Sequence, residues 1–250
     1  MLLAEALALP GAGGTVCLVG AGGKTSLMIA LARELAAAGS CVVVTTTTHI
    51  MTPAPHQFDA LLTDERLDSL LAAIAPCRTL CVARPSPGGK LASPPAALLR
   101  AAARQADWLL VEADGAHRFP VKAPAAHEPQ ILEPSDIVVA VAGLTALGRP
   151  LREVCHRAEL ACALLEASAD TPLTPQLLAR LITSERGQYK QVGCAHRFRV
   201  LLNQADSGRL AALGKETASH ILRLLPDCRV TVGTLRQKPA VKGVYHAHFD

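Results

Sequence analysis

The stretch Thr15 to Thr25, TVCLVGAGGKT, constrains this chain more than any other. An apolar run, Val16 to Val19, breaks into Gly20, Gly22 and Gly23 and closes on Lys24-Thr25. The run has strand composition, and Leu27, Ile29, Ala30, Leu31 and Leu35 then support a helix that a glycine, Gly39, can terminate. Strand, glycine-rich loop and helix in that order put backbone N–H groups at the positive end of a helix, where a phosphate is favoured. On this reading Gly20, Ala21, Gly22, Gly23, Lys24, Thr25 and Ser26 hold the phosphates of a nucleotide, with Lys24 on the outer phosphates and Thr25 on a magnesium ion. The usual P-loop pattern G-x-x-x-x-G-K-[ST] has lost its first glycine to Leu18, which leaves the shorter G-x-x-G-K-[ST] from Gly20. A dinucleotide fingerprint fits less well. Thr25 stands where a third glycine is needed, and the second strand ends in Thr45-Thr46-Thr47-Thr48-His49 instead of an acidic residue.

Half of the 250 residues are hydrophobic and only 3% are aromatic, a composition suited to parallel strands buried under helices. The formal charge of +4 is small and the basic residues are scattered, which argues against nucleic acid as a partner. No apolar run approaches the ~20 residues of a membrane-spanning helix, and the N-terminus lacks the basic start of a signal peptide. Eight cysteines are spread along the chain, with Cys17, Cys41 and Cys81 inside expected strands, which points to a reducing cytoplasm. Cys77 and Cys81 have no matching second pair, so core packing outweighs a metal or selenium role for them.

Cys41 to Thr46 is a β-branched run expected beside the first strand, and its end brings Thr47, Thr48 and His49 toward the phosphate loop as ligand or magnesium contacts. Asp64 to Ile74 has helical spacing, Thr79 to Ala83 reads as a strand, and Arg84 to Lys90 reads as a flexible loop. A helix over Ala96 to Gln105 leads to the buried strand Trp108 to Val111, which ends in Glu112-Ala113-Asp114-Gly115. A carboxylate ending a buried strand is how P-loop enzymes hold a magnesium-bound water. Glu112 is therefore the second magnesium contact after Thr25, with Thr47 a third, while Lys24, Glu112 and Asp114 are the catalytic candidates. Two carboxylates that close together need a cation or proton between them.

His117 to Pro134 carries four prolines and little periodicity, which predicts a substrate-facing lid with Lys122, His127 and Glu128 as contacts. Asp136 to Ala142 is a further strand, and Leu151 to Ala167 has helical periodicity. Thr174-Pro175 caps and opens a second helix, and Ser184 to Gln191 reads as a solvated turn in preference to a substrate contact. The strand Phe198 to Leu202 runs into Asn203-Gln204-Ala205-Asp206, similar to the N-K-x-D element that reads guanine, with Gln204 in place of its lysine. Asn203 and Asp206 are thus candidates for base recognition, and ATP and GTP both stay open. Arg209 to Leu225 should be a helix and Arg229 to Val232 a last strand, with Gly233-Thr234 beside the base. No role is assigned to the tail histidines His246 and His248.

Several segments together resemble the YqeC-like family: VGAGGKTSLM, VVVTTTTHI, LLVEADGAHRFPVKAPAAHEPQI, the Glu185-Arg186-Gly187 region and LLNQAD. The third is the most specific. The resemblance implies a cytoplasmic P-loop protein that serves maturation of a selenium-dependent molybdenum hydroxylase. That pathway would supply molybdenum cofactor and the hydroxylase apoprotein as partners. The expected architecture is a single α/β P-loop domain over residues 1–250, doubly wound on a mainly parallel sheet, with a helical portion at about 151–191. The expected function is Mg2+-dependent binding of ATP or GTP, with or without hydrolysis. A cofactor carrier without catalysis and a kinase or ligase acting on a pterin are the alternatives.

Overall fold

A computed structural model describes residues 1–194 and 197–247, so that the tail histidine His248 lies outside the described residues. A short helix, α1 (Leu3–Ala6), precedes the strand β1 (Gly14–Gly20), which is buried from Thr15 onward. Helix α2 (Lys24–Ala37) follows and ends at Gly39, whose φ of +97° lets the chain turn out of the helix. Strands β2 (Val42–Thr46), β3 (His49–Met51) and β4 (Ala60–Leu62) come next, then α3 (Leu67–Ile74) and β5 (Thr79–Val82). Arg84 to Lys90, expected as a loop, instead contributes to a hairpin, β6 (Arg84–Ser86) and β7 (Lys90–Ala92), that pairs with β3 in a small antiparallel sheet. The alternation of buried Ile50 and Leu91 with exposed His49, Met51 and Lys90 gives that ribbon one face on the core and one outside.

Helix α4 (Ala96–Gln105) leads to β8 (Trp108–Glu112), with β9 (Val121–Lys122) and β10 (Ile137–Gly143) beyond it. The region expected as one helix from Leu151 is broken into α5 (Leu151–Val154), a two-residue strand β11 (Cys155–His156), and α6 (Ala158–Leu165). Its backbone leaves the helix at Cys155 to pair with β9 and turns back through Arg157 at a φ of +61°. Helix α7 (Pro175–Thr183) opens as expected on Thr174, whose hydroxyl accepts from the Leu177 N–H. Strand β12 (Phe198–Asn203), helix α8 (Gly208–Leu224) and strands β13 (Arg229–Gly233) and β14 (Val241–Tyr245) complete the order.

Among the described residues, nine strands form one sheet in the order β14-β13-β12-β10-β1-β8-β2-β5-β4, parallel throughout except for β14. This is an α/β fold with helices packed on a mainly parallel central sheet. The β-branched run β2 was expected beside β1, but β8 lies between them, in register with β1 through Leu18↔Glu112 and with β2 through Thr46↔Glu112. Both β2 and β8 are completely buried, so apolar composition alone does not order them. The consequence is that Gly20, Glu112, Thr46, Gly143 and Asn203 all stand at the carboxyl edge of adjoining parallel strands, where open α/β sheets bind ligands. Among the described residues, no helix is long and apolar enough to cross a membrane.

Candidate functional site

The loop after β1 is held by its surroundings. Gly22 has a φ of +79°, and a Cβ there would lie 2.4 Å from Gly143 N and 2.5 Å from Pro120 O. Gly23 has a φ of +133°, and a Cβ would meet Asn203 Nδ2 at 2.4 Å. Any side chain at either position is both sterically blocked and conformationally strained. Ala21 N donates to Val141 O at 2.9 Å and Gly22 N to Phe119 O at 3.1 Å, which ties the loop to β10 and to the segment after β8.

Lys24 begins α2 and is only 3% exposed. Its Nζ donates to Gly20 O at 2.5 Å, lies 2.9 Å from Asp114 Oδ1 and lies 3.8 Å from Glu112 Oε1. The cation between the two carboxylates after β8 is thus the protein's own ammonium. Thr25 Oγ1 donates to Glu112 Oε2 at 2.7 Å, and Asp114 Oδ2 accepts from Gly20 N at 3.0 Å. Burial pulls Lys24 toward its neutral form, but Asp114 and Glu112 outweigh it and hold the ammonium above its ordinary range. For Glu112 burial wins over Lys24 and the Thr25 hydroxyl, and its carboxyl is pushed up.

Asp114 also meets a second buried lysine, Lys122, at 3.2 Å. Lys122 was expected to face substrate, but its side chain is fully buried. Its Nζ donates to Gly115 O at 2.5 Å and to Glu128 Oε2 at 2.8 Å. Arg157 Nη1 donates to the same Glu128 oxygen at 2.6 Å. Burial raises the Glu128 carboxyl, yet Lys122, the Ala125 N–H and Arg157 more than offset this and hold it down to about 2. Glu112, Lys24, Asp114, Lys122, Glu128 and Arg157 therefore form a ladder of alternating charge running from the cavity floor to α6. Enclosing single charges in this way would be prohibitive, and alternation is what makes it tolerable. Beside the ladder, His156 stacks on His117 with ring centroids 4.7 Å apart. Burial, with Arg157 and His117 nearby, pushes its imidazole below its ordinary value.

Above the ladder opens a cavity of about 1120 Å3. It is lined by Gly22, Gly23, Lys24, Thr25 and Ser26, by Thr47, Thr48 and His49, by Glu112, by His127 and Glu128, and by Asn203 and Asp206. Gly20, Ala21, Asp114 and Lys122 lie beneath its wall and do not line it. Thr47 Oγ1 donates to Gln130 O at 2.7 Å, and Thr48 N donates to Thr46 Oγ1 at 3.0 Å. Asn203 Nδ2 donates to Gly22 O at 2.8 Å while its Oδ1 accepts from Leu235 N at 3.1 Å, so this one amide joins the glycine loop to the turn after β13. Asp206 Oδ1 accepts from the Thr234 hydroxyl, and Gln204, at a φ of +68°, lines the cavity, accepts from Thr145 Oγ1 at 2.5 Å and donates through Nε2 to Gly22 O at 3.4 Å.

The segment from His117 to Pro134, expected as a lid, is a packed wall. Val121 to Pro124 is buried, Pro120 O accepts from Gly143 N at 2.7 Å, and Gln130 N donates to Ala113 O at 2.9 Å. The turn over Ser184 to Gln191 is exposed at Glu185, Arg186 and Gln191 but not between Arg186 and Gln191. Gln188 is buried against the glycine loop, and Lys190 Nζ donates to Ala125 O and Ala126 O at 3.0 and 2.7 Å. Arg157 and Gln188 were not read from the sequence, Arg157 because it sits in what reads as a continuous helix. Thr25 and Glu112 suit a magnesium ion, a hard cation that takes few protein oxygens beside water and phosphate. Thr47 has its hydroxyl proton committed to Gln130. Among the described residues, no cluster of three or more His, Cys, Asp or Glu is suited to holding a metal by itself.

Fold and site together define an α/β protein with a mainly parallel sheet and a buried lysine–carboxylate ladder under a cavity at the sheet's carboxyl edge. Its sequence matches the family model described as YqeC protein over residues 16–159. It is 33% identical over 184 residues to "Uncharacterized protein YqeC" of Escherichia coli (strain K12), across 72% of each chain. The chain belongs to the YqeC family. The matched span holds all six members of the charge ladder, from Lys24 to Arg157, and stops short of Asn203 and Asp206.

Proposed function

We propose that this chain is a single P-loop domain that binds a purine nucleoside triphosphate with magnesium, and that binding or hydrolysis of this nucleotide serves maturation of a selenium-dependent molybdenum hydroxylase in the cytoplasm. The observation that carries the reading is the meeting of Lys24, Thr25 and Glu112 at the mouth of a strand–glycine loop–helix unit, with Thr25 and Glu112 2.7 Å apart. The first turn of α2 offers unpaired N–H groups to phosphate oxygens, and Lys24 supplies the neutralising charge. Thr25 and Glu112 would hold magnesium, directly and through water. When bound, the ion neutralises charge on the outer phosphates. Lys24 has to exchange Asp114 for phosphate when nucleotide arrives, and Lys122 remains to neutralise Asp114.

Asp206 supports a base pocket beside Asn203. One of its carboxylate oxygens is engaged by Thr234, which leaves the other to accept from the ring N1–H and exocyclic amine of guanine. The test is thermal unfolding with Mg–GTP and Mg–ATP. Saturation to a hundred times the dissociation constant adds ~2.7 kcal/mol, a rise of roughly 5–10 °C for a chain of this size. The expected result is a rise with nucleotide, larger with GTP, whose margin over ATP disappears in Asp206→Asn. Equal rises in parent and variant would remove Asp206 from base reading, and no rise with either nucleotide would overturn the function.

A further inference from the structure

The cavity extends past the glycine loop and Asp206, and the rest of its lining has a chemistry of its own. The glycine loop and Asp206 occupy one side. The other side is walled by the ribbon β3–β7–β6 and by the turn at His117-Arg118. In the ribbon's register His49 and Arg84 both stand opposite Ala92, and Lys90 is two residues from Ala92, so His49, Arg84 and Lys90 share one face. The opposite face is buried through Ile50 and Leu91. His49, Arg84, Lys90 and Ala92 of the basic face all line the cavity.

Facing it, His117 and Arg118 are consecutive non-glycine residues at φ of +47° and +65°, a sparsely populated backbone held by Gly22 N and the wall behind it. The side chains of Arg84, Lys90 and Arg118 make no ion pair or hydrogen bond among the described residues. Of the charged residues lining the cavity, Lys24, Arg84, Lys90, Arg118 and Arg236 are cations and Glu112, Glu128 and Asp206 are anions. Glu112 and Glu128 are already matched by Lys24, Lys122 and Arg157. The unmatched charge on this side is positive.

We propose that this half of the cavity is a second binding site, for a phosphate-bearing small molecule held beside the nucleotide. Arg84, Lys90 and Arg118 supply the charge, and His49, His117 and His127 line the same cavity. A phosphomonoester fits better than a carboxylate because it presents three acceptor oxygens to donors arriving from several separate segments. Its position opposite the outer phosphates rests on the nucleotide reading above; the site itself rests on the ribbon's register.

The test is equilibrium dialysis of radiolabelled inorganic phosphate against protein saturated with magnesium and a non-hydrolysable nucleotide analogue, with acetate as competitor. Arg84 and Lys90 are exposed, so Arg84→Ala/Lys90→Ala should fold as the parent does. The expected result is phosphate bound to the nucleotide-loaded parent, weakened at least tenfold in the double variant, undisturbed by equimolar acetate, with nucleotide affinity unchanged within twofold. Phosphate binding that is equal in parent and variant, absent from the loaded parent, or displaced equally by acetate overturns the second site. If the analogue fails to bind while phosphate binding still depends on Arg84 and Lys90, the nucleotide reading falls and the second site stands.

Discussion

Two buried lysines touch the same aspartate, and the rest of their surroundings differ. Lys24 lies 2.9 Å and Lys122 3.2 Å from Asp114, one at each of its oxygens. Lys24 lines the cavity and has only a backbone carbonyl of its own loop and a longer contact to Glu112 besides. Lys122 is closed off, with Gly115 O and Glu128 filling its other donor positions. One ammonium is free to be drawn toward an incoming anion, and the other fixes the carboxylate it leaves behind. Chemically identical groups thus divide into a ligand-exchanging member and a structural one according to which has access to the cavity.

Removing each ammonium in turn separates the two roles. Lys122→Met leaves Glu128 and Asp114 short of their central partner, and breaking a buried pair in this way costs about 3–5 kcal/mol. Its urea midpoint should fall accordingly, with a melting temperature lower by about 10 °C. Lys24→Met should cost less, about 1–3 kcal/mol, because Asp114 keeps Lys122 and the Gly20 N–H. Equal losses, or a larger loss at Lys24, would erase the proposed division of labour.

A smaller effect sharpens the structural end of the ladder. Glu128 is held down to about 2 from an ordinary 4.5. Its folded value lies below its unfolded one, so its contribution is complete above about 4.5 and is lost as pH falls toward about 2. Urea titrations across that window should show stability declining with acid in the parent and declining less steeply in Glu128→Gln. Parallel slopes would mean that Lys122 and Arg157 do not hold this carboxylate as described.

The same contrast explains what the sequence discloses. Lys24 is legible because strand, glycines and helix start follow one another within eleven residues, and backbone geometry dictates what such a loop presents. Glu112 is legible because a carboxylate closes a buried strand. Lys122 in Pro120-Val121-Lys122-Ala123-Pro124 has no local pattern that indicates burial; only the later pairing of β9 with β11 encloses it. Arg157 is hidden further, in an apolar periodicity that reads as one helix until the Cys155-His156 backbone is drawn off into that pairing. Strand order escapes for a related reason, since β2 and β8 are equally apolar and only their mutual register sets β8 next to β1. The ribbon carrying Arg84 and Lys90 looks like a loop because its strands are three residues long, one of them holds Pro85, and Gly88-Gly89 lie in the turn between them.

Titration calorimetry of Mg–GTP and Mg–ATP into the parent and Lys24→Ala decides whether the glycine loop holds a nucleotide. Lys24 supplies charge-assisted hydrogen bonds individually worth ~1.5–3 kcal/mol, so at least one nucleotide should bind the parent and bind the variant tenfold or more weakly, with folding retained. Undiminished affinity in Lys24→Ala, or no heat of binding with either nucleotide in the parent, would contradict it.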